Sequence, residues 1–124
     1  MRRTLALLVL ASTAAPLVLA QGTSGRKNWF DDPFFQVSSG LAACPVPEGP
    51  LMTQHEAQVE EHYRVERGTS CWLHGKCKYP NSYLYDKHLA APVKTALAAV
   101  PGVQADSVWV TIQRRWVFLQ GCVT

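Results

Sequence analysis

Four cysteines carry the clearest chemistry in this sequence of 124 residues. Cys44, Cys71, Cys77 and Cys122 make an even number, and in short exported chains such sets form disulfides. Only five residues separate Cys71 from Cys77, which favours a local bridge between them. Cys44 and Cys122 then form a long bridge; the alternative links Cys44 to Cys71 and Cys77 to Cys122. Because C-x5-C differs from the C-x-x-C of redox enzymes, we predict structural bridges.

The sequence lacks the residue combinations that catalysis requires. No nucleophile lies in a motif with a base, no G-x-S-x-G elbow occurs, and no glycine-rich phosphate loop is present. The four histidines show no H-x-x-x-H spacing, and His55 and His62 are seven residues apart, too far to ligate one metal from a single helix. We therefore predict no enzymatic activity, no metal site and no cofactor.

The candidate binding residues are aromatic side chains next to two arginines: Trp109, Arg114, Arg115 and Trp116. Indole rings lie well at a lipid headgroup layer, and guanidinium groups bind phosphates. These residues could therefore dock on an anionic phospholipid surface. In the alternative interpretation a helix packs on the same face, and the aromatic side chains form a second core.

One helix and two strands position these residues. The helix is predicted to begin at Asp86, whose carboxylate can cap it, and to end before Pro101-Gly102. Two stretches with period-2 alternation follow, at 107–112 and 116–120, and they predict an antiparallel hairpin. The predicted apolar positions are Leu89, Val93, Ala96, Leu97 and Val100 on the helix, Val108, Val110 and Ile112 on the first strand, and Val117, Leu119 and Val123 on the second.

This order and spacing resembles the BON domain, a periplasmic and secreted bacterial module of osmotic-stress and nodulation proteins. The matching residues are Asp86-Lys-His-Leu-Ala-Ala-Pro-Val93, Ala96-Leu97, Val108-x-Val110-x-Ile112 and Val117-x-Leu119-x-Gly121-x-Val123. Arg114-Arg115 occupies the turn where the family usually has glycine, and the sequence ends at Thr124, before the family's second helix and third strand. The resemblance implies a non-enzymatic module that binds phospholipid surfaces or envelope components under stress.

The rest of the chain divides into three segments. Residues 1–20 have the basic start, apolar run and small-residue cleavage site of a secretory signal peptide, so we predict export to the periplasm or medium after cleavage at Ala20. Residues 21–50 are interpreted as a flexible, Pro-rich arm, with Trp29–Phe35 either plugging an apolar gap or forming an aromatic clamp. Residues 51–84 hold a helix with a Thr53–Glu56 capping box, then the cysteine loop.

The net charge and its distribution along the chain favour some partners over others. Without Arg2 and Arg3 the chain keeps ten basic and nine acidic residues, too little excess charge for nucleic-acid binding. Six of those basic residues but only two acidic ones follow residue 75, so the C-terminal part could face an anionic surface. The other hypothesis is a structural module that recruits an envelope protein through its sheet edge.

The predicted fold is a small disulfide-stapled α+β domain, an N-terminal helix followed by a helix-strand-strand unit. Residues 85–124 are the partial BON-like domain.

Overall fold

The computed structural model describes residues 25–66 and 69–124, so the predicted signal peptide at 1–20 lies outside the described residues. The elements in chain order are β1 (Phe34–Ser39), α1 (Gln54–Glu66), the short α2 (Thr69–Leu73), α3 (Asp86–Ala98), β2 (Ser107–Gln113) and β3 (Trp116–Cys122). A 3-10 helix at Ser82–Tyr85 precedes α3, and another at Val103–Ala105 follows it. The protein therefore has the predicted α+β fold.

The three strands form one antiparallel sheet in the order β1-β2-β3. In the β2–β3 hairpin Gln113 lies opposite Trp116 and Ser107 opposite Cys122, with no irregularity between them. Both strands are one or two residues longer than their alternation predicts, because the ladder continues past the apolar positions. The central strand is the buried one, as expected for a strand with neighbours on both sides.

Strand β1 is a correction to the interpretation of residues 21–50 as a flexible arm. Phe34 pairs with Thr111 and Ser39 with Ser107, and Lys27 forms an isolated bridge with Met52. The sequence Phe34-Phe-Gln-Val-Ser-Ser39 hides the strand because adjacent phenylalanines break the alternation. A register shift between Gln36 and Ser38 breaks it again. The Pro-rich segment after β1 is also held, since Gly49 lies against the ring of Phe34.

The core lies between the sheet and α3. Val110 and Ile112 of β2 are fully buried, as the alternation predicts. Phe35 lies opposite Val110, and Lys94 of α3 extends over its ring at 5.9 Å, so α3 covers this face of the sheet. At the other end of β2 the hydroxyl of buried Ser107 donates to the carbonyl of Leu41 and accepts from the amide of the same residue.

Helix α1 is attached to the domain through a buried ion pair. Its start has the predicted capping box: Thr53 N–H donates to the Glu56 carboxylate at 2.7 Å, and Glu56 N–H donates to Thr53 Oγ1 at 3.3 Å. Near its end Arg64 donates twice to the carboxylate of Asp32, at 2.8 and 2.6 Å. The rings of Phe30 and Tyr83 lie over the same guanidinium at 3.8 and 4.0 Å, so two aromatic faces and one carboxylate position the helix.

Two disulfides join Cys44 to Cys122 and Cys71 to Cys77, with Cα–Cα distances of 5.8 and 5.3 Å. This is the local-plus-long pairing that the spacing favoured. The long bridge connects the segment after β1 to the last residue of β3. It therefore closes the domain across the sheet, whereas the short bridge closes only the loop after α2.

Removing the long bridge should cost more stability than removing the short one. The long bridge spans 78 residues and the short one 6. A chain-entropy model then gives about 4 kcal/mol for the first and about 2 kcal/mol for the second. Urea unfolding of Cys44→Ser with Cys122→Ser, compared with Cys71→Ser with Cys77→Ser, measures the difference. Equal losses would contradict the assignment of the long bridge as the main staple.

Candidate functional site

The candidate site is built on the turn between β2 and β3. Arg114 and Arg115 both have positive φ angles, 57° and 68°, so the hairpin has a two-residue turn of the primed type. Such turns normally contain Asn-Gly, because left-handed backbone costs about 1 kcal/mol or more for a residue with a Cβ. A turn formed by two arginines therefore needs a stabilising interaction with another part of the protein.

Asp86 supplies that interaction. Its carboxylate, 1% exposed, accepts from the backbone N–H of Arg114 at 2.8 Å and of Arg115 at 2.7 Å. The expectation that Asp86 caps its own helix is therefore wrong. The 3-10 helix Ser82–Tyr85 continues directly into α3, and the residue at the N-cap position is Tyr85, which makes no side-chain cap bond. The side chain of Asp86 is thus available to bind the turn.

The same carboxylate lies next to a second buried acid. Burial raises the pKa of Asp86, the two backbone hydrogen bonds oppose the rise, and the charge of Asp32 adds to it. Asp32 in turn accepts from Nε2 of Gln113 at 2.7 Å. The last residue of β2 and both turn residues are therefore each held by a buried carboxylate, and Asp32 connects this cluster to Arg64 on α1.

Three of the four candidate binding residues lie together. Arg114 and Arg115 form the tip, and Arg115 extends over the ring of Tyr85 at 5.3 Å. Trp116 follows directly and is 68% exposed. Trp109 lies elsewhere: it is opposite Gln120, far along the hairpin from the turn, and its ring stacks on Phe34 with centroids 5.0 Å apart. Trp109 is thus part of a small aromatic cluster rather than of the tip.

The exposure of β3 is the feature that alternation could not reveal. Its side chains are exposed on both faces of the sheet, Trp116 and Phe118 on the Thr111 face, and Val117 and Leu119 on the Val110 face. Alternation correctly assigns these residues to faces, but the packing partners on β3 depend on elements far away in the sequence. Helix α1 does not cover Trp116 or Phe118, so it forms no second core there.

The outer edge of β3 presents backbone hydrogen-bonding groups. Ile112 N–H donates to the carbonyl of Pro33 at 3.0 Å, so the main chain of Ile112 points toward β1. Its partner Val117 is therefore in a non-hydrogen-bonded pair with β2, and the N–H and C=O of Val117 point outward. The same holds two residues later for Leu119. Within the described residues, no strand pairs with this edge.

Other surfaces of the described residues hold no reactive cluster. His55, Val59, His62 and Tyr63 line an open depression of about 410 Å³ on α1. No group of three or more His, Cys, Asp or Glu residues in the described ranges is arranged to hold a metal ion. No helix in those ranges is long and apolar enough to cross a bilayer.

Comparison with protein-family models, with curated proteins and with solved structures finds no match to this chain. The resemblance to BON domains therefore stays a prediction from residue spacing.

Replacing Asp86 should destabilise the protein in a pH-dependent way. Asp86→Ala leaves two turn amides without their acceptor and should lower the free energy of unfolding by about 2 kcal/mol. Because the pKa of Asp86 is raised on folding, the folded state binds this proton more tightly, so its contribution is present below the unfolded pKa and is lost as the pH rises through the folded pKa. Wild-type stability relative to Asp86→Asn, which cannot titrate, should fall as the pH rises from acid toward neutral, beginning near the ordinary aspartate pKa of about 4.

The measurement is urea unfolding of both chains across that pH range, with Asp31→Asn as control. Asp31 is also an aspartate, but its side chain is 84% exposed and forms an ion pair with Lys87 on the surface. A stability difference between wild type and Asp86→Asn that stays flat or increases with pH would mean that the two hydrogen bonds offset or outweigh burial, and would contradict the raised pKa of Asp86.

Proposed function

We propose that this protein is an exported, non-enzymatic module that binds a partner protein by adding a strand to the β3 edge. The observation that carries the proposal is the exposure of β3 on three sides: Val117 and Leu119 on one face, Trp116 and Phe118 on the other, and unpaired backbone groups between them. An extended partner segment satisfies these backbone groups, and its side chains cover both faces.

A bilayer is a poorer match for the whole edge. Hydrocarbon covers apolar side chains but supplies no hydrogen-bond partner for the outward N–H and C=O groups of Val117 and Leu119. A protein strand covers the side chains and pairs with the backbone as well. Native sheets usually protect such an edge with a lysine, a proline or a bulge. Strand β3 itself, Trp116–Cys122, contains no charged residue and no proline.

Export is supported by the two disulfides, which favour an oxidising, extracellular environment. The finer proposal is a signal peptide at 1–20, cleaved after Ala20, and a mature protein in the periplasm or medium. In this setting the partner is an envelope or secreted protein, which agrees with the envelope role that the BON resemblance implies.

A second candidate function is favoured by the hairpin tip. Arg114, Arg115 and the exposed Trp116 are consecutive, and an indole beside two guanidinium groups suits an anionic phospholipid surface. This contact involves only the end of the hairpin, so it leaves most of the β3 edge uncovered. The tip and the edge can therefore be tested separately.

Strand addition predicts binding of a simple extended peptide. An acetylated and amidated peptide of alternating threonine and valine, titrated into the isotope-labelled mature chain, should shift the backbone amide signals of Val117 and Leu119. Leu119→Pro should abolish these shifts, because proline removes an outward N–H that no bond among the described residues uses. Leu119→Ala is the matched control, since it also loses the leucine side chain but keeps the N–H.

Retention of binding in Leu119→Ala and its loss in Leu119→Pro support edge pairing. Equal loss in both variants means that the leucine side chain, not the backbone, binds the peptide. Amide shifts confined to α1 or the cysteine loop would place the interaction on another surface and overturn the proposal.

If the tip binds lipid, a single variant should increase the stability of the fold and decrease the affinity for membranes. Arg114→Asn with Arg115→Gly gives the turn residues that positive φ angles favour, so the free energy of unfolding should rise by about 1 kcal/mol. The same change removes both charges and should abolish sedimentation with vesicles of phosphatidylglycerol and phosphatidylcholine. Wild-type sedimentation should weaken with salt. Unchanged sedimentation of the variant would eliminate the tip as a lipid site.

A further inference from the structure

We infer that the occupant of the β3 edge is a second copy of this chain, paired antiparallel to the first about a two-fold axis at Leu119. The inference rests on the proposed function and specifies the partner. Three properties of the hairpin support it: the positions of the outward backbone groups, the sizes of the side chains along β3, and the charges at its two ends.

The backbone groups fit a two-fold axis. Outward hydrogen-bonding residues alternate along β3, and Leu119 lies at the middle of Trp116–Cys122. With the axis at Leu119, the outward groups of Leu119 in each copy pair with each other, and Val117 of one copy pairs with Gly121 of the other. An axis at Phe118 or Gln120 would also oppose outward residues, Val117 with Leu119 or Leu119 with Gly121, so the side chains decide the register.

The side chains alternate suitably in size. In this register Val117 lies opposite Gly121, which has no side chain, and Leu119 lies opposite its own copy. Gly121 has a φ angle of 141°, and a Cβ there would lie 1.9 Å from the carbonyl oxygen of Ser107, so the position requires glycine. Because Gly121 has no side chain, Val117 of the second copy meets no opposing side chain at this position.

Charge selects the antiparallel direction. The turn end of the hairpin carries Arg114 and Arg115, and the opposite end carries Asp106, whose carboxylate accepts from the N–H of Thr124 at 2.9 Å. Antiparallel pairing brings position 114 of one copy next to position 124 of the other, and so brings each arginine pair close to an Asp106 carboxylate. A parallel pair would bring four arginines together at one end, which is unfavourable.

The result is a continuous six-stranded antiparallel sheet. Pairing would bury part of Trp116, Val117, Phe118 and Leu119 in each copy, which are the large exposed side chains of β3. It would also place β1, whose outer side is near the Pro-rich segment, at both ends of the joined sheet. The dimer thus covers the exposed edge of β3. Its own outer edges are the two copies of β1, each of which carries a bulge.

Sedimentation equilibrium of the mature chain tests the inference. The wild type should have the mass of a dimer at high micromolar concentration and dissociate on dilution. Leu119→Pro should be monomeric at every concentration. Leu119→Ala should still form dimers, with a higher dissociation constant than the wild type. Circular dichroism and non-reducing peptide mapping of the Cys44–Cys122 bridge establish that the proline variant is folded.

A charge exchange gives a second test that does not alter the strand. Arg114→Glu with Arg115→Glu places like charges beside Asp106 of the other copy and should weaken dimerisation at least about tenfold. Adding Asp106→Lys to that variant should restore most of the affinity. A triple variant no stronger than the double variant, or a wild-type dimer that survives Leu119→Pro, would overturn the two-fold pairing.

The outcomes separate this inference from the proposed function. A chain that is monomeric at every concentration but still binds the threonine–valine peptide at Val117 and Leu119 overturns the second copy and leaves strand addition in place. A chain that neither dimerises nor binds the peptide overturns both. Cross-subunit nuclear Overhauser contacts between Val117 and Gly121, measured in a mixture of labelled and unlabelled chains, support the register, and contacts in another register overturn it.

Discussion

The hairpin depends on one carboxylate. Arg114 and Arg115 occupy left-handed backbone that their side chains disfavour, and the two N–H groups of the turn converge on Asp86. The hydrogen bonds are charge-assisted, which makes them roughly twice as strong as neutral ones. Because Asp86 is the first residue of α3, the bond also determines where the helix meets the sheet. An unusual turn sequence is thus explained by a residue distant in the chain.

A second buried carboxylate extends this arrangement to α1. Asp32 accepts from Arg64 and from Gln113, so helix α1, the segment before β1 and the end of β2 meet at one side chain. The ring of Tyr83 covers the Arg64 guanidinium, and its hydroxyl donates to Glu60 at 2.9 Å. Burial and that hydrogen bond raise the pKa of Tyr83 to about 12. These polar contacts, rather than a larger apolar core, hold α1 against the rest of the domain.

The sequence predicted the elements whose signals are local. The hairpin strands follow from the alternation of Val108, Val110 and Ile112, and α1 begins at a capping box that is contained within four residues. The signals for β1 and for the role of Asp86 are not local. Adjacent phenylalanines and a bulge conceal the strand, and a carboxylate before a helix resembles a cap whether or not it serves as one. In the candidate site, the tip residues lie together because they are neighbours in the sequence. The exposure of Val117 and Leu119 depends instead on packing that no pattern within β3 encodes.

The position of β1 in the sheet has a consequence for the order of folding. Strands β2 and β3 are adjacent in the chain and α3 comes just before them, so this unit can form through short loop closures. Strand β1 must join β2 across a loop that contains both α1 and α3, which is entropically the most expensive closure in the domain. Cys44 follows β1 closely, so its oxidation with Cys122 should come after that docking and lock it in place. Before β1 has joined, both edges of the hairpin would be open, so pairing with strands of other chains is most favourable at that stage of folding.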